Sequence, residues 1–153
     1  MKPLYIFDLD GTLADLQHGA HIVDEKHHRN RWRRFHPACD RDIPIRHAIH
    51  TMELLRRFAD IWIFSGRSEE VRGETVAWLM QNTSFSESEL ERILTMRQEG
   101  DHRADDIVKR EWLDGLQEDD RKRLVAAFDD RDKVVAMWRA AGIPCYQVAR
   151  GDF

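Results

Sequence analysis

Two carboxylates, Asp8 and Asp10, stand two residues apart at the end of the apolar run Leu4, Tyr5, Ile6, Phe7, and Gly11 and the hydroxyl of Thr12 follow them. On a strand, residues two apart point the same way, and a glycine lets the backbone turn tightly beside them. Acids held this close repel unless a cation lies between them. Three further stretches place polar groups where an apolar run stops. Ser65-Gly66-Arg67 follows residues 61–64, and a hydroxyl and a glycine at a strand tip let backbone N–H groups reach a phosphate oxygen. Lys109 lies one helical turn after Asp105 and Asp106, where an acid can orient its ammonium. Asp129-Asp130-Arg131 follows residues 124–128, and paired acids there are costly to bury unless they face a cation. Paired aspartates beside groups suited to phosphate favour a hard, oxygen-liganded ion. Zinc is disfavoured by the same argument, although His18, His21, His27, His28 and His36 are numerous enough to invite it.

The elements that must position these groups alternate. Strands are expected over 4–9, 61–64, 93–96, 124–128 and 144–148, each a short apolar run. Between them, a helix opening at Pro44 carries Ala48, Ile49, Met52, Leu54, Leu55 and Phe58 inward. A second spans 68–80 with Val71, Ala77, Trp78 and Leu79 inward, and a helical turn covers 88–92. Residues 111–122 are helix and loop around Trp112, Leu113 and Leu116, and a last helix over 133–141 is capped by Gly142. This alternation predicts an α/β fold, a doubly wound, Rossmann-like parallel sheet of about five strands with right-handed crossovers. In such a sheet, ligands bind beyond the carboxyl ends of the strands, where all four polar stretches fall.

Residues 15–42 break the pattern and read as a small cap-like insertion after the first strand. Its stretch 27–36 interleaves cations with Trp32 and Phe35. That composition suits a phosphate backbone with unstacked bases, and it equally describes a solvated helix face.

A chain of 153 residues suits a single domain, 1–153. The formal net charge of −4 argues against a general nucleic-acid coat protein. Cys39 and Cys145 have no CxxC spacing, which predicts reduced thiols rather than a disulfide framework or zinc ribbon. No leader-like segment precedes the first strand, and no apolar run approaches the roughly 18 residues a membrane helix needs. The expectation is therefore a cytoplasmic protein without a membrane partner.

The hexapeptide Asp8-Leu9-Asp10-Gly11-Thr12-Leu13 resembles the first motif of the haloacid dehalogenase superfamily of phosphotransferases. Ser65, Lys109 and Asp129-Asp130 resemble its second, third and fourth motifs, in that order. Arg97 to Lys109, with Gly100-Asp101, Arg103 and Asp105-Asp106, is similar to the phosphatase domain of phage polynucleotide kinase-phosphatase. So are 134–139, Gly142-Ile143, 147–149 and Gly151-Asp152-Phe153.

The resemblance implies a magnesium-dependent phosphatase with an aspartyl-phosphate intermediate. Asp8 is then the nucleophile, Asp10 the general acid and base, and Lys109 the cation that keeps Asp8 ionised. Asp8, Asp10 through its carbonyl, and Asp130 hold the metal, with Asp129 in support. Thr12 and Ser65 bind phosphate oxygens. Arg67 and Arg131 either touch substrate or pair with Asp105 or Asp129.

The implied substrate is the 3′-phosphate, or 2′,3′-cyclic phosphate, of a nucleic-acid end. Mononucleotides or other small phosphate esters are the alternative, and a catalytically silent nucleic-acid-binding module is a third reading. No GxxxxGK[ST] loop is present, so 5′-phosphorylation by that route is not expected of this chain. Gly19 stands where the family places an arginine after its nucleophile, with Arg29 or Arg31 as substitutes.

Overall fold

The computed structural model describes residues 1–15 and 42–153. The first apolar run forms β1 (Leu4–Phe7), and its two-residue alternation divides it between two cores: Leu4 and Ile6 face one, Tyr5 and Phe7 the other. After a turn, β2 (Ala14–Asp15) pairs antiparallel with β3 (Ile43–Pro44), so the residues flanking 16–41 meet. Most of the expected insertion, including the stretch 27–36, His18, His21, Gly19 and Cys39, lies outside the described residues.

The chain then alternates: α1 (Arg46–Arg56), β4 (Asp60–Ser68), a 3-10 turn (Glu69–Val71), α2 (Arg72–Asn82), α3 (Glu87–Ile93) and β5 (Leu94–Arg97). It continues through α4 (Asp105–Asp114), α5 (Glu118–Arg123), β6 (Leu124–Asp129), α6 (Asp132–Ala140) and β7 (Cys145–Gln147).

The expected parallel five-stranded sheet is present, in the order β5-β4-β1-β6-β7. From β1 the chain crosses over to β4 and β5, then returns past β1 to β6 and β7. The strand order therefore reverses between β1 and β6, and a crevice opens at such a switch point beyond the carboxyl ends.

One core packs Phe7, Ile61 and Ile63 against Met52, Trp78 and Leu79; the other packs Leu4, Ile6 and Phe64 against Leu113, Val134 and Trp138. Phe7 and Phe128 stack face to face at 4.3 Å across the β1–β6 pairing, beside the switch point. No helix among the described residues is long and apolar enough to cross a membrane.

Several local expectations change. Pro44 lies in β3 and the helix begins at Arg46. The 3.6-residue period from buried Ala48 and Met52 runs on to Leu55 and Ala59, leaving Leu54 and Phe58 exposed on another face. Ala77 is likewise exposed, because α2 buries Thr75, Trp78 and Leu79. The Ser68 hydroxyl accepts a hydrogen bond from the Glu70 N–H and opens a 3-10 turn ahead of α2. A capping box between Ser86 and Glu89 starts α3 and carries it through Ile93, so β5 starts one residue later than expected.

Candidate active site

The end of β1 is tied to the end of β6 by the Asp8 N–H, which donates to the Phe128 carbonyl at 2.9 Å. That contact sets Asp8 beside Asp129 and Asp130 at the switch point, and all three acids are buried. Three carboxylate oxygens, one from each, lie within 4.8 Å of one another. Lys109, fully buried on α4, reaches in from below. Its ammonium donates to Asp8 Oδ1 at 2.6 Å and to Asp129 Oδ2 at 2.8 Å, and it lies 3.4 Å from Asp105 Oδ2. The Thr12 hydroxyl donates to the other Asp8 oxygen at 3.1 Å.

With Asp105 also paired to Arg97, the three acids Asp8, Asp129 and Asp130 share one lysine, which leaves the cluster short of positive charge. Burial, and then the charge of Asp129, push the Asp8 carboxyl well above its ordinary range; Lys109 pulls it down without prevailing. Burial and the Asp129 charge also raise Asp130, to about 6. Burial works against the Lys109 charge, but Asp105, Asp129 and Asp8 outweigh it and hold the ammonium well above its usual pKa. Lys109 is therefore firmly charged, yet cannot by itself keep every carboxylate ionised. A hard divalent cation fits both the deficit and the oxygen donor set.

Asp10 faces a different cation. Arg67 Nε donates to its two carboxylate oxygens at 2.9 and 3.0 Å, and Nη2 to Oδ1 at 2.5 Å. The guanidinium is 1% exposed and also hydrogen-bonds the buried Asp42 carboxylate and, at 3.4 Å, the Thr75 hydroxyl. The two acids of the first motif are thus separated electrostatically: Asp8 pairs with Lys109, Asp10 with Arg67. Among the described residues Arg67 pairs with Asp10 and Asp42, where the sequence suggests Asp105 or Asp129.

Two glycines make these approaches possible. At Gly11 φ is +83°, and a Cβ would sit 2.0 Å from Asp130 Oδ2. At Gly66 a Cβ would meet Asp105 Oδ1 at 2.4 Å.

Among the described residues, each acid and cation predicted from sequence lies in or beside this crevice, with distinct neighbours; Arg29 and Arg31 lie outside them. Asp129 offers an oxygen to the acid cluster and accepts from Lys109 at once. Ser65 is fully buried at the end of the regular part of β4, and its hydroxyl accepts from the Arg67 N–H at 3.2 Å. The Arg131 N–H donates to Asp129 Oδ1 at 3.3 Å, while its guanidinium lies over the Phe153 ring at 4.7 Å.

Sequence reasoning missed two participants. Asp42 ends the polar stretch before β3 and carries no local signal of the arginine it meets. Arg97 had one: it is a charged residue at a strand end, as Asp8 and Asp129 are. Its guanidinium donates to the Gly66 carbonyl at 2.9 Å, to the Arg103 carbonyl at 2.6 Å and to Asp105 Oδ1 at 3.1 Å, joining the second and third motifs.

Comparison with known proteins agrees with this layout. A chain of the Pnkp1/Rnl/Hen1 RNA repair complex superposes with a TM-score of 0.74 at 28% identity, over 99% of this chain and 44% of that one. A second structure of the Pnkp1/Rnl/Hen1 complex gives 0.72 at 28%, over 99% and 48%. The present chain thus spans less than half the length of those relatives. The class C acid phosphatase from Bacillus anthracis with tungstate bound shares the fold, with a TM-score of 0.57 at 16% identity over 88% of this chain and 54% of that one. The family model of the polynucleotide kinase PNKP phosphatase domain matches residues 2–153. With sequence, fold and crevice in agreement, the chain belongs to that family of haloacid dehalogenase-type phosphatase domains.

Proposed function

We propose that this chain removes the 3′-phosphate from nucleic-acid ends through an aspartyl phosphate on Asp8. The observation that carries the reading is the buried Asp8 carboxylate held at 2.6 Å by Lys109, beside Asp129 and Asp130 at the switch point. Family membership supports the phosphatase chemistry, and the likeness to a chain of an RNA repair complex supports the nucleic-acid substrate. The match over 2–153 supports reading the chain as one phosphatase unit, with 16–41 inserted between β2 and β3.

In this reading an Asp8 oxygen attacks phosphorus in line with the 3′ oxygen, and the O3′–P bond breaks. Asp10 protonates the departing 3′ oxygen, then takes a proton from the water that hydrolyses the aspartyl phosphate. Inorganic phosphate leaves and Asp8 is regenerated. Lys109 orients Asp8 and, with the Thr12 hydroxyl, fixes which of its oxygens is presented. Ser65 and the backbone around Gly66 receive phosphoryl oxygens. Arg67 keeps Asp10 apart from the acid cluster, and Arg131 takes substrate at the rim. Asp8, Asp129 and Asp130, with the Asp10 carbonyl, would hold a magnesium ion, which supplies positive charge to the phosphoryl oxygens.

The test is phosphate release from a 3′-phosphorylated oligonucleotide beside a 3′-mononucleotide, a 5′-mononucleotide and p-nitrophenyl phosphate, with magnesium and again with excess EDTA. Preference for the oligonucleotide and loss of activity in EDTA support the reading. Equal or better turnover of the small esters moves the substrate to nucleotides or metabolites, and activity retained in EDTA removes the metal assignment.

A further inference from the structure

We infer that Phe153 and Arg131 form a stacking platform for the nucleobase of the substrate's 3′-terminal nucleotide, an inference that rests on the 3′-end reading above. The segment after β7 is laced onto the loop that carries the acid cluster. The Val148 N–H donates to the Asp129 carbonyl at 3.0 Å, and Gln147 Nε2 donates to the Asp130 carbonyl at 3.0 Å and to Asp132 Oδ1 at 2.6 Å. The Asp132 N–H returns a bond to the Gly151 carbonyl at 2.7 Å. Gly151 lies so close that a Cβ there would be 2.1 Å from the Asp130 carbonyl oxygen. These contacts hold residues 147–151 against the loop, and the Phe153 ring lies against the Arg131 guanidinium.

Phe153 is 59% exposed. Arg131 directly follows a cluster acid, and its field is one of those that hold the Asp105 carboxyl below its ordinary range. The guanidinium, one residue past the acid cluster in sequence, carries the exposed ring at 4.7 Å. A phosphoester seated at Asp8 carries its sugar and base outward from that site. An unstacked base is taken by aromatic rings and guanidinium planes, because every base offers a π-face. A ring that stacks on any base gives affinity for a nucleotide without choosing its sequence, which suits an enzyme acting on ends.

The experiment compares two oligonucleotides with 3′-phosphates, one ending in an ordinary nucleotide and one in an abasic sugar, on the wild type and on Phe153→Ala, Phe153→Leu and Phe153→Tyr. Removing a stacking ring costs roughly tenfold to a hundredfold in affinity. The expected result is a loss of that size in kcat/KM for Phe153→Ala on the base-bearing oligonucleotide relative to the abasic one, carried by KM. Tyrosine restores the ratio and leucine does not, although leucine keeps the apolar volume. An equal effect on both oligonucleotides, or rescue by leucine as well as tyrosine, overturns the platform while leaving the 3′-phosphatase reading intact. A wild type inert on both oligonucleotides but active on p-nitrophenyl phosphate overturns both.

Discussion

In the proposed mechanism Asp8 must be ionised to attack phosphorus, yet burial and its acidic neighbours favour its neutral form. Lys109 resolves half of that conflict, by a direct hydrogen bond, and the proposed cation would resolve the rest. Substituting Asp8→Asn should therefore separate chemistry from stability. Turnover falls by about 10³-fold or more, the scale on which a nucleophile's removal is felt. In EDTA near pH 7.5 the variant melts at or above the wild-type temperature, because a buried charge with an unfavourable environment has gone. Thermal melting and a phosphate-release assay on the same preparation check both halves; wild-type turnover in the variant would remove Asp8 as nucleophile. The residues of this site were largely legible because they are polar groups at the ends of apolar runs. Asp42 was not, since its meaning comes from Arg67, distant in sequence and met only through β3 and β4. The pairing of Asp10 with Arg67 was hidden for the same reason.

At the scale of elements, chemistry depends on loops brought closer than side chains permit. β1 and β6 deliver Asp8 and Asp130, but Asp130 reaches the cluster only across the bare Cα of Gly11, which also holds φ at +83°. A methyl group at Gly11 both strains the backbone and displaces that carboxylate. At Gly151 it strikes the backbone of Asp130 and Arg131, which has less freedom to give way. Gly73 is the control, exposed on α2 with nothing within 4 Å of the place a methyl group would take. Gly11→Ala and Gly151→Ala should each lose about 1–3 kcal/mol of stability, as overpacking does. Both should also raise the magnesium concentration at half-maximal thermal stabilisation by tenfold or more. Gly73→Ala should gain about 0.5–1 kcal/mol, from helix propensity and a less free unfolded chain. Equal behaviour of all three in a magnesium titration would show that these loops do not shape the cation site. The strands and their order of motifs followed from apolar runs, whereas the exposed faces at Leu54, Phe58 and Ala77 did not. Composition marks a helix as amphipathic, but its boundaries and the sheet beneath decide which stripe is buried.

For the whole molecule, the site is a fault line in an otherwise well-packed sheet. Two cores flank the strands, yet the switch point between them gathers Asp8, Asp105 and Asp129 around Lys109, with Asp130 beside Asp8 and Asp129. Its charge balance must appear in the pH dependence of folding. Asp8 and Asp130 have folded pKa values above the ordinary carboxylate range, Asp130 at about 6. The folded state then binds their protons more tightly than the unfolded chain does. Their contribution is fully present below the unfolded carboxylate pKa, near 4; that of Asp130 is lost as pH rises through about 6, and that of Asp8 as pH rises through its own raised pKa. Lys109, raised from an already high value, and Asp105, lowered, act outside that window. In EDTA the melting temperature should therefore fall by several degrees between pH 5 and pH 7.5. A divalent cation reverses the sign, because it binds the ionised carboxylates of the folded state alone and competes with their protons. With millimolar magnesium the protein should melt higher at pH 7.5 than at pH 5, and the gain over EDTA should grow across the same interval. If the two melting curves ran parallel in pH, the cation would be binding away from Asp8 and Asp130. The acid cluster would then be a costly feature of the fold rather than the seat of its chemistry.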